Sequence, residues 1–137
     1  MSNRAKVLVK EKIADSGVDQ LKENFDVEIG VEMDDAELEK RIGEFDAILI
    51  RSATKLTPEL IAKADNMKVI GRAGTGVDNV DIPAATKRGI IVANAPESNS
   101  VAAAEHSMAL ALALFRNVPQ AHSALVDGRW DRAKYKG

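Results

Sequence analysis

Residues 46–50 read DAILI, four consecutive apolar residues after one acidic residue. A run this short, without polar alternation, predicts a strand buried on both faces of a parallel sheet. Similar runs occur at 6–10 (KVLVK), 68–71 (KVIG) and 90–93 (IIVA), and a weaker one lies at 27–29 (VEI). The sequence therefore predicts about five strands.

The segments between these runs contain residues that begin and end helices. Ser16, Asp34, Thr57 and Asp81 are expected at or before helix N-termini, and Gly89 is expected at a left-handed C-terminal cap. Strands that alternate with helices pair in parallel through right-handed crossovers. The prediction is an α/β, flavodoxin-like three-layer sandwich with about five parallel strands in the order 2-1-3-4-5.

Composition excludes several classes of protein. Nineteen Lys and Arg against 21 Asp and Glu leave a net charge of −2, which argues against nucleic-acid binding by bulk electrostatics. The absence of cysteine excludes disulfides and thiol chemistry. No apolar run reaches the length of a membrane span, and no signal peptide is recognised at the N-terminus. We therefore expect a cytoplasmic protein without a membrane partner.

Residues 101–116 form an additional segment that is apolar all the way round a helix. A helix of this kind must be buried on every side, and a five-stranded sandwich covers only one of them. We expect this helix either to fold back on the sheet or to form a homodimer with a second copy. Beyond Pro119 the chain becomes more polar, and no further helix or strand is predicted.

Polar and glycine residues follow the third and fourth predicted strands, at 51–55 (RSATK) and 72–79 (RAGTGVDN). Ligands of such sheets bind beyond the carboxyl ends of the strands, and these two strands are neighbours. Arg51 and Arg72 should therefore converge there, and arginine forks match carboxylate and phosphate oxygens. Two interpretations stay open: a pocket for a small, multiply charged anion, or a solvated arginine pair around a tight glycine turn.

The same glycine turn does not predict a dinucleotide cradle. Asn79 stands where a third glycine is needed, and the fingerprint belongs after the first strand of a Rossmann unit, not the fourth of five. His106 and His122 have no orienting carboxylate and no second metal ligand at helical spacing. The sequence therefore contains a candidate anion pocket, with no catalytic residue and no metal site.

Three segments are similar to one known family: 50–55 (IRSATK), 69–81 (VIGRAGTGVDNVD) and 94–106, which begins NAP and ends SVAAAEH. They resemble the D-3-phosphoglycerate dehydrogenase branch of the D-isomer-specific 2-hydroxyacid dehydrogenases. The resemblance implies NAD-dependent oxidation of 3-phosphoglycerate, a small phosphorylated 2-hydroxy acid, in serine biosynthesis. It also implies that residues 1–99 are a substrate-binding domain, and that 100–137 lead into a missing NAD-binding Rossmann domain.

The resemblance further implies a set of site residues. The substrate-binding residues would be Arg51, Ser52, Arg72, Gly74, Gly76 and Arg132, and Thr75 would touch the cofactor. The glycine backbone would hold the substrate carboxylate and the first two arginines its phosphate. Arg132 would reach the phosphate in a neighbouring subunit. The catalytic residues and the NAD loop of the family are missing, so we expect a truncated, inactive chain that binds NAD poorly.

Two alternatives remain open. The chain could be a freestanding flavodoxin-like module that binds anions or a partner without turnover, or the substrate domain of another D-2-hydroxyacid dehydrogenase. A phosphoaccepting receiver domain is disfavoured, because it needs an aspartate where Arg51 stands.

Overall fold

The structure is a computed structural model that describes residues 4–136. The chain divides into two compact units, one up to Ser98 and one from Asn99 onward. The strands of the first unit are β1 (Lys6–Val9), β2 (Asp26–Ile29), β3 (Ala47–Ile50), β4 (Val69–Arg72) and β5 (Ile91–Asn94). Its α-helices are α1 (Asp15–Asn24), α2 (Asp35–Arg41), α3 (Pro58–Lys63) and α4 (Ile82–Lys87), and a 3-10 helix spans Ile42–Glu44.

The five strands form one parallel sheet in the order β2-β1-β3-β4-β5, which confirms the predicted fold. In the register of this sheet, Ile48 pairs with Leu8 on one side and with Ile70 on the other. Ile50 pairs with Arg72, so β3 and β4 end side by side. This alignment places the two loops of the candidate site next to each other.

The core lies on the face of the sheet that carries Leu8, Ile48 and Ile70. These side chains are at most 1% exposed, and Leu38 and Ile61 are buried with them from α2 and α3. Burying a side chain of this size contributes about 1.5–3 kcal/mol to stability. The other side is covered less completely, since α1 contains no buried residue.

Most of the predicted helix signals are confirmed. The side chains of Asp34, Thr57 and Asp81 each accept a hydrogen bond from the backbone N–H three residues later, and Gly89 has a φ of +70°. The prediction that Ser16 caps the first helix is wrong. Ala14 is the N-cap residue of α1, its carbonyl accepts the first intrahelical bonds, and its side chain offers no cap.

The second unit contains α5 (Ser100–Phe115) and α6 (Val118–Val126). Helix α5 forms as predicted, but the expectation that it is buried on every side is wrong within the described residues, since none of its residues is buried. Helix α6 contradicts the prediction that the chain beyond Pro119 forms no helix. Asn117 adopts a left-handed conformation, and Pro119 lies in the first turn, where proline costs no hydrogen bond. Among residues 4–136, no helix is long and apolar enough to cross a membrane.

Candidate anion-binding site

Glu11 holds the loop that follows β3. Its carboxylate accepts hydrogen bonds from the backbone N–H groups of Arg51 at 2.9 Å, Ala53 at 3.2 Å and Thr54 at 2.9 Å. Burial acts to raise the pKa of Glu11, but these bonds and one from the Thr54 side chain outweigh it and lower the pKa. The carboxylate therefore stays ionised at neutral pH and fixes the backbone of Arg51.

Asn79 joins this loop to the one after β4. Its side-chain amide donates to the carbonyl of Arg51 at 2.8 Å and to that of Thr54 at 2.7 Å. The backbone adds a short parallel bridge between Leu56 and Val80. The Asn79 side-chain oxygen is buried without a hydrogen-bond partner. The two loops consequently form one connected edge, and the amide that replaces a third glycine serves this connection.

Arg72 ends β4 and lies across the glycine turn. A Cβ added to Gly74 would be 1.8 Å from one terminal nitrogen of Arg72, so only glycine leaves room for this guanidinium. The Nε atom of Arg72 is buried and has no hydrogen-bond partner. A buried, unpaired donor on a cation is costly, and a bound anion would remove that cost.

The glycine turn is anchored from β5. The Ala95 N–H donates to the Gly74 carbonyl at 3.0 Å, and the Asn94 side chain donates to the Thr75 carbonyl at 2.6 Å. These bonds use carbonyl groups, and the Gly74 N–H itself donates to the Arg72 carbonyl at 2.8 Å. Within residues 4–136, the N–H of Gly76 donates no hydrogen bond, and the Asp78 carboxylate lies beside it. An anion there would meet one free donor and one repelling charge.

The arginine side chains take different directions, although their backbones are adjacent. Arg51 donates to the carbonyl of Lys12 at 3.5 Å and so leans towards the segment after β1. Arg72 stays over Gly74, on the opposite side of β3. No contact joins the two guanidinium groups in the described part of the chain, so their convergence at a ligand remains a prediction.

The remaining predicted site residues line two cavities. Ser52 lines a cavity of about 490 Å³ with Lys55 and with Asp78 and Asn79 from the end of the glycine turn. Arg132 belongs to the second unit, where it lines a cavity of about 420 Å³ with Trp130 and His122. The structure therefore brings Arg72, Gly74, Thr75 and Gly76 together in the first unit, and Arg132 belongs to the second unit.

The described residues do not form a site for a dinucleotide pyrophosphate or for a metal ion. The glycine turn follows β4, and its Asn79 is committed to two carbonyls, so it does not fit a dinucleotide pyrophosphate. His106 lies on α5 and His122 on α6, and both are exposed. Residues 4–136 contain no group of three or more His, Asp or Glu side chains arranged to hold a metal ion.

Sequence reasoning missed the two side chains that organise this edge. Glu11 lies 40 to 43 positions before the amides it binds, so no local motif connects them. The sequence indicates a role for Glu11 only through its position just after β1, because β1 ends beside β3. In the sequence, Asn79 stands out only as a departure from a glycine pattern.

Comparisons with known proteins agree with the fold. The chain is 45% identical over 133 residues to a D-3-phosphoglycerate dehydrogenase of Synechocystis sp., covering 97% of this chain and 24% of that protein. A crystal structure of the PH0520 protein from Pyrococcus horikoshii OT3 matches 93% of this chain and 38% of its own, with TM-score 0.80 and 37% identity. The chain thus spans about a quarter of the curated relative and less than half of the solved one.

A cofactor-bound relative has also been solved. The NAD⁺-bound 3-phosphoglycerate dehydrogenase of Entamoeba histolytica matches 82% of this chain and 40% of its own, with TM-score 0.66 and 27% identity. The family model described as "D-isomer specific 2-hydroxyacid dehydrogenase, catalytic domain" matches residues 7–128. The chain therefore belongs to the D-isomer specific 2-hydroxyacid dehydrogenase family.

Proposed function

We propose that the chain is the substrate-binding part of an NAD-dependent D-3-phosphoglycerate dehydrogenase, which oxidises 3-phosphoglycerate to 3-phosphohydroxypyruvate in serine biosynthesis. The observation that carries the proposal is the guanidinium of Arg72, held over Gly74 with a buried, unpaired Nε. The similarity to named D-3-phosphoglycerate dehydrogenases supports the choice within the family.

The chemistry of 3-phosphoglycerate matches the residues at this edge. The substrate carries a carboxylate and a phosphate, and each needs charged or N–H donors when it leaves water. We assign the carboxylate to the backbone around Gly74 and Gly76. We assign the phosphate to Arg72 together with Arg51, whose side chain must turn from Lys12 to reach it. Thr75 would face the cofactor, and Arg132 would act on a neighbouring subunit.

The described residues would contribute orientation and charge neutralisation. In the whole enzyme, NAD would accept a hydride from C2 of the substrate. We place its binding in a Rossmann domain outside the described residues, with 1–99 as the substrate domain and 100–137 as the connection to it. On this proposal the 137-residue chain binds the substrate but does not reduce NAD. Reduction of NAD that depends on 3-phosphoglycerate, by protein free of contaminants, would contradict it.

Calorimetry tests the substrate assignment. We expect 3-phosphoglycerate to bind the chain more tightly than D-glycerate, which lacks the phosphate. Arg72→Gln should weaken 3-phosphoglycerate by about tenfold or more, because a hydrogen bond to a charged group is worth about 1.5–3 kcal/mol. Lys87→Gln is the matched control, since this exposed lysine lies at the end of α4. Equal binding of the two ligands would point to another member of the family, and an unchanged Arg72→Gln would remove the proposed site.

A further inference from the structure

A separate cavity of about 280 Å³ lies on the β1 side of Arg51. Its charged lining residues are Lys10, Lys12 and Arg51, with the carboxylates of Glu11 and Asp35. The volume is about nine times the ~30 Å³ that one water occupies in the liquid, so it has room for a small oxyanion and its waters. Neither Arg72 nor the glycine turn lines this cavity.

Lys10 is the unusual residue of the cavity. Side chains alternate along a strand, so Lys10 projects to the same side of the sheet as Leu8, which is completely buried. Its backbone N–H donates to the Leu49 carbonyl at 2.9 Å, which continues the sheet and fixes this direction. As a result only 9% of Lys10 is exposed, the lowest exposure of any charged residue in the described chain.

The ammonium of Lys10 nevertheless has no partner. No hydrogen bond or ion pair joins it to another group among residues 4–136, whereas other lysines of the unit, such as Lys63 and Lys68, pair with carboxylates. Most of the buried surface belongs to the aliphatic stem, since the Lys10 ammonium is not among the buried side-chain atoms that lack a partner. The side chain therefore presents an unpaired, accessible ammonium at the cavity, where an anion could bind.

Neither carboxylate of the cavity pairs with the Lys10 ammonium. The Glu11 carboxylate accepts hydrogen bonds from the backbone N–H groups of Arg51, Ala53 and Thr54. Asp35 lies in the first turn of α2 and forms no ion pair with a cavity cation within the described residues. Three cations thus share the cavity with two carboxylates, which leaves an excess of one positive charge.

We propose that this cavity is a second anion site, which binds a phosphate group with Lys10 as its main ligand and with Lys12 and Arg51 at its rim. The phosphate is either inorganic phosphate or the phosphate of a small monoester. The site shares Arg51 with the proposed substrate site, but its main ligand, Lys10, is not part of that site, so the two proposals can fail separately.

The test is an NMR titration of the ¹⁵N-labelled 137-residue chain with inorganic phosphate, and separately with glycerol 3-phosphate as the monoester. Sodium chloride at matched ionic strength controls for screening. We expect saturable shifts of the Glu11, Lys12 and Thr54 amides with at least one of the two ligands. The tighter ligand of the two identifies the source of the phosphate.

Two variants with opposite expected effects on affinity distinguish a loss of binding from damage to the fold. Lys10→Met keeps an unbranched side chain and should weaken binding by roughly tenfold, the loss expected for one charged hydrogen bond. Asp35→Asn removes the repelling charge and should tighten binding by roughly threefold. Lys87→Gln lowers the net charge equally, far from the cavity, and should leave the affinity unchanged.

Each outcome decides the proposal. Weakening by Lys10→Met together with tightening by Asp35→Asn supports it. The proposal is overturned if no shifts saturate, or if all variants bind with equal affinity. Shifts confined to residues 72–76 also overturn it. If Lys10→Met fails to fold, Lys12→Gln takes its place and must also weaken binding. A failed 3-phosphoglycerate titration with intact phosphate binding here would reject the proposed function alone.

Discussion

Replacing Glu11 with glutamine tests how the candidate site is held in place. One oxygen of Glu11 accepts from the N–H groups of Arg51 and Thr54, both at 2.9 Å, and the other accepts from that of Ala53 at 3.2 Å. Glutamine retains one acceptor oxygen and turns the other position into an NH₂ group. At least one backbone N–H then faces another donor, and the remaining bonds lose their charge.

The cost follows from these bonds. A hydrogen bond to a charged group is worth about 1.5–3 kcal/mol. Glutamine can keep two of the three hydrogen bonds, in a weaker, uncharged form. We therefore expect Glu11→Gln to lower the free energy of unfolding by about 2 kcal/mol. For a unit of this size, 1 kcal/mol corresponds to about 4–8 °C in Tm, so the melting temperature should fall by roughly 10 °C.

The pH dependence gives an independent check on the same carboxylate. The pKa of Glu11 lies below its ordinary value of 4.5 in the folded chain, so its contribution is complete above about pH 4.5 and is lost as the pH falls further. The difference in stability between wild type and Glu11→Gln should therefore shrink below pH 4.5. Urea unfolding followed by circular dichroism at several pH values measures it.

Glu23→Gln is the control, because Glu23 is an exposed glutamate on α1. Its unfolding curve should match that of the wild type. A Glu11→Gln variant as stable as this control at pH 7 would refute the account of the loop. So would a stability difference that stays constant between pH 7 and pH 3.

Three further substitutions have defined outcomes. Asn79→Ala removes the two hydrogen bonds to the loop after β3 and should lower stability by about 1–3 kcal/mol in urea unfolding; no change would show that the loops are held otherwise. Gly74→Ala displaces only the mobile end of Arg72, so it should cost less than about 1 kcal/mol yet weaken 3-phosphoglycerate in calorimetry, and unchanged affinity would contradict this. Phe45→Ala empties a core position that is 1% exposed and should cost about 3–5 kcal/mol in the same unfolding assay, whereas a smaller loss would place Phe45 outside the core.

The fold could be predicted because its signals are local. The apolar runs around Leu8, Ile48 and Ile70 mark buried strands, and the helices between them require parallel crossovers. The caps at Asp34 and Asp81 are also local, since each side chain binds a backbone N–H three residues away. Signals of this kind can be recognised without knowing which parts of the chain meet in space.

The errors arise where a local signal has two meanings. Pro119 can end a helix or stand in its first turn, and the left-handed backbone of Asn117 decides for the second. Ser16 is a good capping residue by type, but α1 already begins at Asp15. In both cases the choice depends on backbone geometry that residue type alone does not determine.

The site was only partly predictable because it depends on contacts between distant positions. Strand order placed Arg51 and Arg72 at one edge, and the register confirms that their backbones are neighbours. Their side-chain directions depend on Gly74, which makes room for one guanidinium, and on the Lys12 carbonyl, which attracts the other. The role of Glu11 required knowing which loops meet beyond β1 and β3.

An NMR titration of the 137-residue chain with 3-phosphoglycerate, compared with D-glycerate, measures directly whether the Arg72 turn binds the substrate. We expect saturable shifts of the Arg72, Gly74 and Gly76 amides with 3-phosphoglycerate, and much weaker ones with D-glycerate. We also expect a shift at Arg51, because its side chain must turn from Lys12 towards the phosphate. The absence of saturable shifts at residues 72–76, or equal shifts with both ligands, would contradict the proposed substrate site.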